Sequence, residues 1–265
     1  MIAAFLLGLL QGITEFLPIS SDGHLALAGI LFGVKDAGLA LTVLLHTGTL
    51  LATSIILRQR LGTAVMDGVK ALGAPRLFRT TAGGQDALFV IVASIPTAII
   101  GFSARAYVEQ WSASPFVVGL GFLLTALLLV STAFAKSGVV EHPSAKAALL
   151  MGIMQGIAVL PGVSRSGLTI ATALFLGVAR PRAFELSMLM SVPAVLGAVL
   201  LELPHMAGDI SNLPAAVLGA VVACISGMGA MMWLRRIVVG GLFPWFALWV
   251  FPLAIATLAM ARAWP

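Results

Sequence analysis

Gln11-Gly12-Ile13-Thr14-Glu15-Phe16-Leu17-Pro18-Ile19-Ser20-Ser21-Asp22-Gly23-His24 decides how this chain folds. The apolar run Met1–Leu17 leads into its polar turn, and a short apolar piece, Leu25–Val34, leads out. The same arrangement recurs where Ala145–Leu160 runs into Pro161-Gly162-Val163-Ser164-Arg165-Ser166-Gly167 and then Leu168–Val178. A membrane-spanning helix needs about 20 mostly apolar residues, and neither region supplies them without a break. At membrane depth, non-helical backbone is tolerated only when it is buried in protein or lines a wet cavity. Both regions therefore read as re-entrant helical hairpins that dip in and return to the same side.

The rest of the chain fits such a setting. Of 265 residues, 60% are hydrophobic and 9% charged, against roughly 45–50% and 25% in an average soluble domain. The mean hydropathy is +1.09. A soluble one- or two-layer domain is excluded because it could not cover itself with polar surface, and disorder is excluded by the same composition. A single cysteine, Cys224, rules out a disulfide framework and a Cys-based zinc site. The net charge of +5 would suit nucleic acid, but the cations sit in short loops between apolar runs, where they report membrane orientation. No nucleic-acid partner is expected. The N-terminal run lacks a positive leader and a small-residue cleavage site, so it is read as part of the fold.

Six stretches qualify as spans: Gly38–Leu57, Asp86–Ala104, Pro115–Ala135, Ala183–Leu203, Leu213–Leu234 and Leu242–Ala261. Leu10-Gln11-Gly12-Ile13 matches Met154-Gln155-Gly156-Ile157, Leu17-Pro18 matches Leu160-Pro161, and Ser21 matches Ser164. The expected fold is an all-α integral membrane protein, residues 1–265 as one domain, with six transmembrane helices and two re-entrant hairpins. Its halves, about 1–140 and 141–265, form an inverted-topology repeat. Three spans separate the hairpins, so the hairpins open on opposite sides. The side where the second opens collects Arg58, Arg60, Lys70, Arg76, Arg79, Lys136, Lys146, Arg180, Arg182, Arg235 and Arg236, against Lys35, Arg105 and Arg262 on the other. That asymmetry makes the former cytoplasmic and the mouth of the first hairpin external. Trp111 and Trp264 are read as interface anchors, and Pro96 and Pro193 as kinks within spans.

Ionisable residues at membrane depth are functional hypotheses, and Glu15, His24 and Arg165 all lie in the hairpins. Gln11 and Glu15 are four apart on one helix face, an arrangement that suits a hard divalent cation or a polar substrate head. The alternative is a Glu15 that only accepts hydrogen bonds from the turn and holds the hairpin. Ser21 precedes His24 by three residues, within reach of a hydroxyl–imidazole hydrogen bond that activates a nucleophile. Serine or Asp22 at this place also fits a helix N-cap. In Ser164-Arg165-Ser166-Gly167-Leu168-Thr169 a planar guanidinium, hydroxyls and free N–H groups at a helix start suit an anion. Arg165 pairing with Glu15 is the alternative. His46 is equally a site residue or an interhelical hydrogen-bonder, and Glu185 is expected to pair with Arg182.

The two motifs resemble those of the bacitracin-resistance type of undecaprenyl-diphosphate phosphatase, and the resemblance covers nearly the whole chain. It implies removal of the terminal phosphate from a polyprenyl diphosphate in the bacterial cytoplasmic (inner) membrane. The product is a lipid carrier recycled for cell-wall polymers, and bacitracin resistance follows from the activity. The resemblance makes Ser21 the nucleophile or a phosphate contact, with His24 as its proton partner and Glu15 and Arg165 also catalytic. Gln11, Ser20, Ser164, Ser166 and Thr169 become substrate-binding residues. Glu15 and Gln11 become ligands of a divalent cation, Mg2+ or Ca2+, and the Asp22 carboxylate, which the resemblance does not supply, is a further candidate ligand. Asp22 departs from the family pattern, which has a small neutral residue there. A homodimer is left open, and the competing reading is a polyprenyl-phosphate flippase or other transporter on the same inverted repeat.

Overall fold

The computed structural model describes residues 1–32, 39–136, 138–204 and 213–263. Lys35, Gly38, Trp264 and the end of the first hairpin at residues 33–34 lie outside them. The described residues form α-helices and no strand, with one isolated parallel bridge between Val140 and Val178. The first hairpin is α1 (Ile2–Phe16) and α2 (Ser21–Phe32), and the second is α8 (Ala145–Ile157) and α9 (Arg165–Phe175). The remaining helices are α3 (Leu39–Ile56), α4 (Arg58–Gly73), α5 (Leu77–Thr80), α6 (Ala82–Ser112), α7 (Pro115–Ser131), α10 (Arg180–Glu202), α11 (Leu213–Val239) and α12 (Ala247–Ala263).

Each helix start that carries a Ser or Thr cap obeys local chemistry. Ser144 Oγ accepts from Ala147 N at 3.3 Å and Thr81 Oγ1 from Gly84 N at 3.0 Å, each taking up a donor the helix itself leaves unpaired. Among the described residues five helices are long and apolar enough to cross a membrane, and a sixth span is counted if α3 and α4, bent by 84° at their junction, are taken as one. The protein is a multi-pass membrane protein. Pro96 and Pro193 sit inside α6 and α10, which continue through them.

Two readings need correction. Residues 58–79, expected as a loop, are helical except at 74–76, in α4 and α5. Helix α4 buries only Ala64 and Ala71 while Val65, Met66, Val69 and Leu72 stand exposed among Arg58, Arg60 and Lys70, the composition of a helix lying in the membrane interface. Helix α6 runs well beyond Asp86–Ala104: its 31 residues reach roughly 46 Å at 1.5 Å per residue, against a hydrocarbon core of about 30 Å.

Packing between the halves is reciprocal. Helix α1 lies along α11, and α8, its counterpart by motif, lies along α6. Small residues allow the approach: a Cβ on Gly8 would sit 2.4 Å from Gly219 O, and one on Gly152 would sit 2.1 Å from Ala93 O. Between them runs an apolar core that includes Phe16, Phe122, Phe184 and Phe243.

Charges mark the two ends. Fully buried Asp86 accepts from Arg182 and lies 2.9 Å from Arg60 Nε, while Glu185 lies 3.4 Å from Arg182 and 3.5 Å from Arg60. This cluster ties the starts of α4, α6 and α10 together. At their far ends α6 and α10 are joined again by Arg105 and Glu202, 2.9 Å apart. The two helices therefore run side by side in the same direction. The expected Arg182–Glu185 pair is present, but as one edge of a network whose centre is Asp86.

Candidate functional site

The tips of the two hairpins meet. The break after α1 is made by Pro18 and by Ser20, whose φ of 67° reverses the chain. Ser20 Oγ then caps α2 by accepting from Gly23 N at 3.2 Å. In the second tip Gly162 (φ 86°) makes the reversal, and Ser164 Oγ caps α9 by accepting from Gly167 N at 3.1 Å. Gly23 packs directly on the second tip: a Cβ there would lie 2.7 Å from Gly162 Cα. Thr125 of α7 clamps that tip, donating to Gly162 O and accepting from Ser164 N, both at 3.0 Å.

This contact brings Arg165 to Glu15 across 150 residues of sequence, with Arg165 Nη2 donating to Glu15 Oε1 at 2.6 Å. Glu15 Oε2 accepts from Ser21 Oγ at 2.9 Å and from Gln11 Nε2 at 3.1 Å. His46 Nδ1 lies 3.1 Å from Gln11 Nε2 and 3.9 Å from Glu15 Oε2. Arg165 keeps a spare donor: Nη1 is buried with no hydrogen-bond partner among the described residues. The carboxylate thus orients a serine hydroxyl, and a guanidinium with one unengaged edge stands opposite.

The group lines a cavity of about 850 Å³ that extends between α6 and α10 as far as Arg105, Glu109 and Glu202. Glu15, Ser20, Ser21, Asp22, His46, Ser164 and Arg165 are on its wall, together with apolar Phe102, Val108, Val159 and Leu201. The volume lies within the range of small-molecule sites, and apolar lining with few polar groups is their usual composition.

Several residues expected at the site stand elsewhere. His24 is not on the cavity wall, and it does not bond to Ser21. Its Nδ1 bonds to Ser20 O at 2.8 Å, its Nε2 accepts from Trp249 Nε1 at 3.2 Å, and its ring stacks on Trp249 and meets Phe122 edge-on. Three residues along α2 is nearly a full turn, but Ser21 is drawn instead to the carboxylate of α1. Ser166 and Thr169 are buried behind the turn, bonded to Ser164 Oγ (3.3 Å) and to Ser187 Oγ (2.6 Å) respectively. Gln11, fully buried, stands behind Glu15 and holds it. Ser20, rather than Ser21 or Asp22, is the cap, which leaves Asp22 with no hydrogen-bond partner among the described residues. Reading the sequence missed Thr125 as the clamp, although a threonine in the apolar span Pro115–Ala135 was a visible signal.

Residues 4–256 match the family model described as Bacitracin resistance protein BacA. The chain belongs to that family. Among its curated relatives, one from Desulfosudis oleivorans is 42% identical over 97% of each chain. One from Korarchaeum cryptofilum is 36% identical over 97% of this chain and 98% of its own, and one from Carboxydothermus hydrogenoformans is 34% identical over 98% and 97%. Each of the three bears the name undecaprenyl-diphosphatase.

In this BacA-family chain the juncture of the tips leaves no room for added bulk. Gly162→Ala adds a Cβ 2.2 Å from Val118 O at a positive φ. The left-handed backbone alone costs about 1–2 kcal/mol and the clash with backbone adds to it, so the fold is expected to be destabilised by at least that much and the Glu15–Arg165 contact loosened. Thermal unfolding in detergent and turnover on the same preparation check both; an unchanged midpoint contradicts the tight juncture.

Proposed function

We propose that the protein hydrolyses undecaprenyl diphosphate to undecaprenyl phosphate and inorganic phosphate, recycling a lipid carrier. The observation that carries this reading is the Ser21–Glu15–Arg165 chain of contacts on the wall of an otherwise largely apolar cavity. Ser21 Oγ attacks the terminal phosphorus, its proton passes to Glu15, and the lipid monophosphate leaves as the new O–P bond forms. Water then cleaves the phosphoserine. Arg165 exchanges its contact with Glu15 for the phosphate oxygens, where its planar fork binds two at once. The apolar wall takes the first isoprene units, and the remaining tail lies in lipid. The names of the curated relatives support the same substrate.

A divalent cation, Mg2+ or Ca2+, fits this site only when shared with substrate. Among the described residues no three His, Cys, Asp or Glu side chains converge into a metal site, and both oxygens of Glu15 are already engaged. Asp22 lines the same cavity as Glu15, and such cations are commonly held by one or two carboxylates plus phosphate oxygens. When bound, the ion would neutralise charge on the diphosphate. Asp22→Thr is then expected to raise the metal concentration for half-maximal activity by about tenfold. An unchanged metal titration removes Asp22 from the ligand set.

The test of the function is phosphate release from a polyprenyl diphosphate by purified protein in detergent, with and without chelator. Hydrolysis needs no second compartment, so release there separates a phosphatase from a transporter. No release by folded, metal-supplied protein overturns the reading. We further infer that the cavity faces the outside of the cytoplasmic membrane, because eleven of the fourteen lysines and arginines weighed fall on the opposite side. An impermeant thiol reagent on intact cells should label Arg262→Cys and spare Lys70→Cys; the reverse pattern inverts the orientation.

A further inference from the structure

We propose that His46 is the imidazole that meets the substrate, donating its Nε2–H to the terminal phosphate beside Ser21. This deepens the phosphatase reading and rests on it. The tautomer follows from Gln11. Its Nε2 donates to Glu15 Oε2 at 3.1 Å, and a carboxylate held by an arginine can only accept, so the amide presents its NH2 on that side. The same Nε2 lies 3.1 Å from His46 Nδ1. Nδ1 is therefore the acceptor of that bond, and the ring proton sits on Nε2.

Nε2 points away from Gln11 and has no hydrogen-bond partner among the described residues. The His46 side chain keeps 26% of its surface exposed and lines the cavity. Its other nitrogen is 3.9 Å from Glu15 Oε2, the oxygen that receives the Ser21 hydroxyl. His46 thus lines the same cavity as Ser21 and Arg165 and carries an N–H that no protein group engages among the described residues. His24 has no such freedom: Ser20 O and Trp249 Nε1 occupy both its nitrogens, and it is off the cavity wall. The ligand class is a phosphate monoester or anhydride oxygen, for which a neutral donor adds binding without a further charge to desolvate.

The experiment compares His46→Leu and His46→Gln with the parent protein in one detergent. Glutamine can accept from Gln11 through its carbonyl and offer an amide N–H to the cavity, while leucine can do neither. His46→Leu is expected to lower kcat/KM by about 10- to 100-fold, the weight of one hydrogen bond to a charged group. His46→Gln should recover to within several-fold of the parent, with parent-like thermal midpoints in both. Pyrophosphate binding to the same three proteins by calorimetry should weaken about tenfold in the Leu variant and persist in the Gln variant. Parent-like kcat/KM and pyrophosphate affinity in His46→Leu overturn the proposal, as does a Gln variant damaged as badly as the Leu one. A parent that binds pyrophosphate through His46 yet releases no phosphate sinks the hydrolytic reading and leaves this contact standing.

Discussion

Arg165→Lys lowers phosphate release by about 10²–10³-fold, roughly 2.7–4 kcal/mol of transition-state stabilisation, in protein that inserts and purifies like the parent. Lysine keeps the positive charge, so Glu15 retains a cation within reach and the tips need not come apart. What it lacks is the second arm. In the parent, Nη2 holds Glu15 Oε1 at 2.6 Å while Nη1 is buried without a partner; an ammonium is a single point and cannot match two phosphate oxygens in one plane. The loss should fall mainly on kcat, because the fork matters most as charge builds on the departing phosphate. Near-normal turnover in the Lys variant would confine Arg165 to holding the hairpins together. Loss of folded protein would show instead that Lys cannot satisfy the buried Glu15, and Arg165→Gln with a thermal midpoint measured alongside would separate the two roles.

Much of this site was legible because the membrane makes polar residues conspicuous. Pro18 and the serines after it, and Pro161-Gly162 before Ser164, could be read as breaks because proline, serines and a charged residue cluster there, whereas the lone Pro96 and Pro193 lie within runs that stay apolar on both sides and the helices continue through them. The Glu15–Arg165 encounter followed from the repeated motif and the cost of burying either charge alone. Hydrogen-bond direction was not legible. Spacing allowed Ser21 to reach His24 along α2, but whether it did depended on what α1 and α12 brought nearby: Glu15 on one side and Trp249 on the other. Likewise Ser166 and Thr169 share a motif with Arg165, yet the buried face of α9 turns them to Ser164 and Ser187. Motif membership marked them as candidates and did not give their direction. Asp86 was hidden for a different reason. At the edge of an apolar run it read as the start of a span, and only tertiary structure surrounds it with Arg60 and Arg182. Helix α4 escaped because a polar stretch between spans has the composition of a loop, and its helical periodicity is carried by the few apolar residues Val65, Met66, Val69 and Leu72.

Ser21→Ala and Glu15→Gln should each cost at least about 10³-fold in turnover, and the double variant should be hardly worse than either. The reason is the 2.9 Å contact: the hydroxyl is a poor nucleophile until a base takes its proton, and the carboxylate has no role in that step without the hydroxyl. Groups that act as one unit lose their whole contribution when either is removed. Glu15→Gln keeps the shape of the side chain but not its basicity, and it leaves Arg165 without its counter-charge, so each variant needs a thermal midpoint beside its kinetics. His24→Ala is the discriminating control. With its nitrogens held by Ser20 O and Trp249 Nε1, His24 is expected to cost less than about tenfold, as a packing loss between α2 and α12, and its effect should multiply with that of Ser21→Ala. If His24→Ala instead abolishes turnover and adds nothing to Ser21→Ala, then His24 is the proton partner and Trp249 must release it when substrate binds. Multiplicative losses for Ser21 and Glu15, with substantial activity left in Ser21→Ala, would end the nucleophile assignment and leave a water molecule, held by Glu15, as the attacking group.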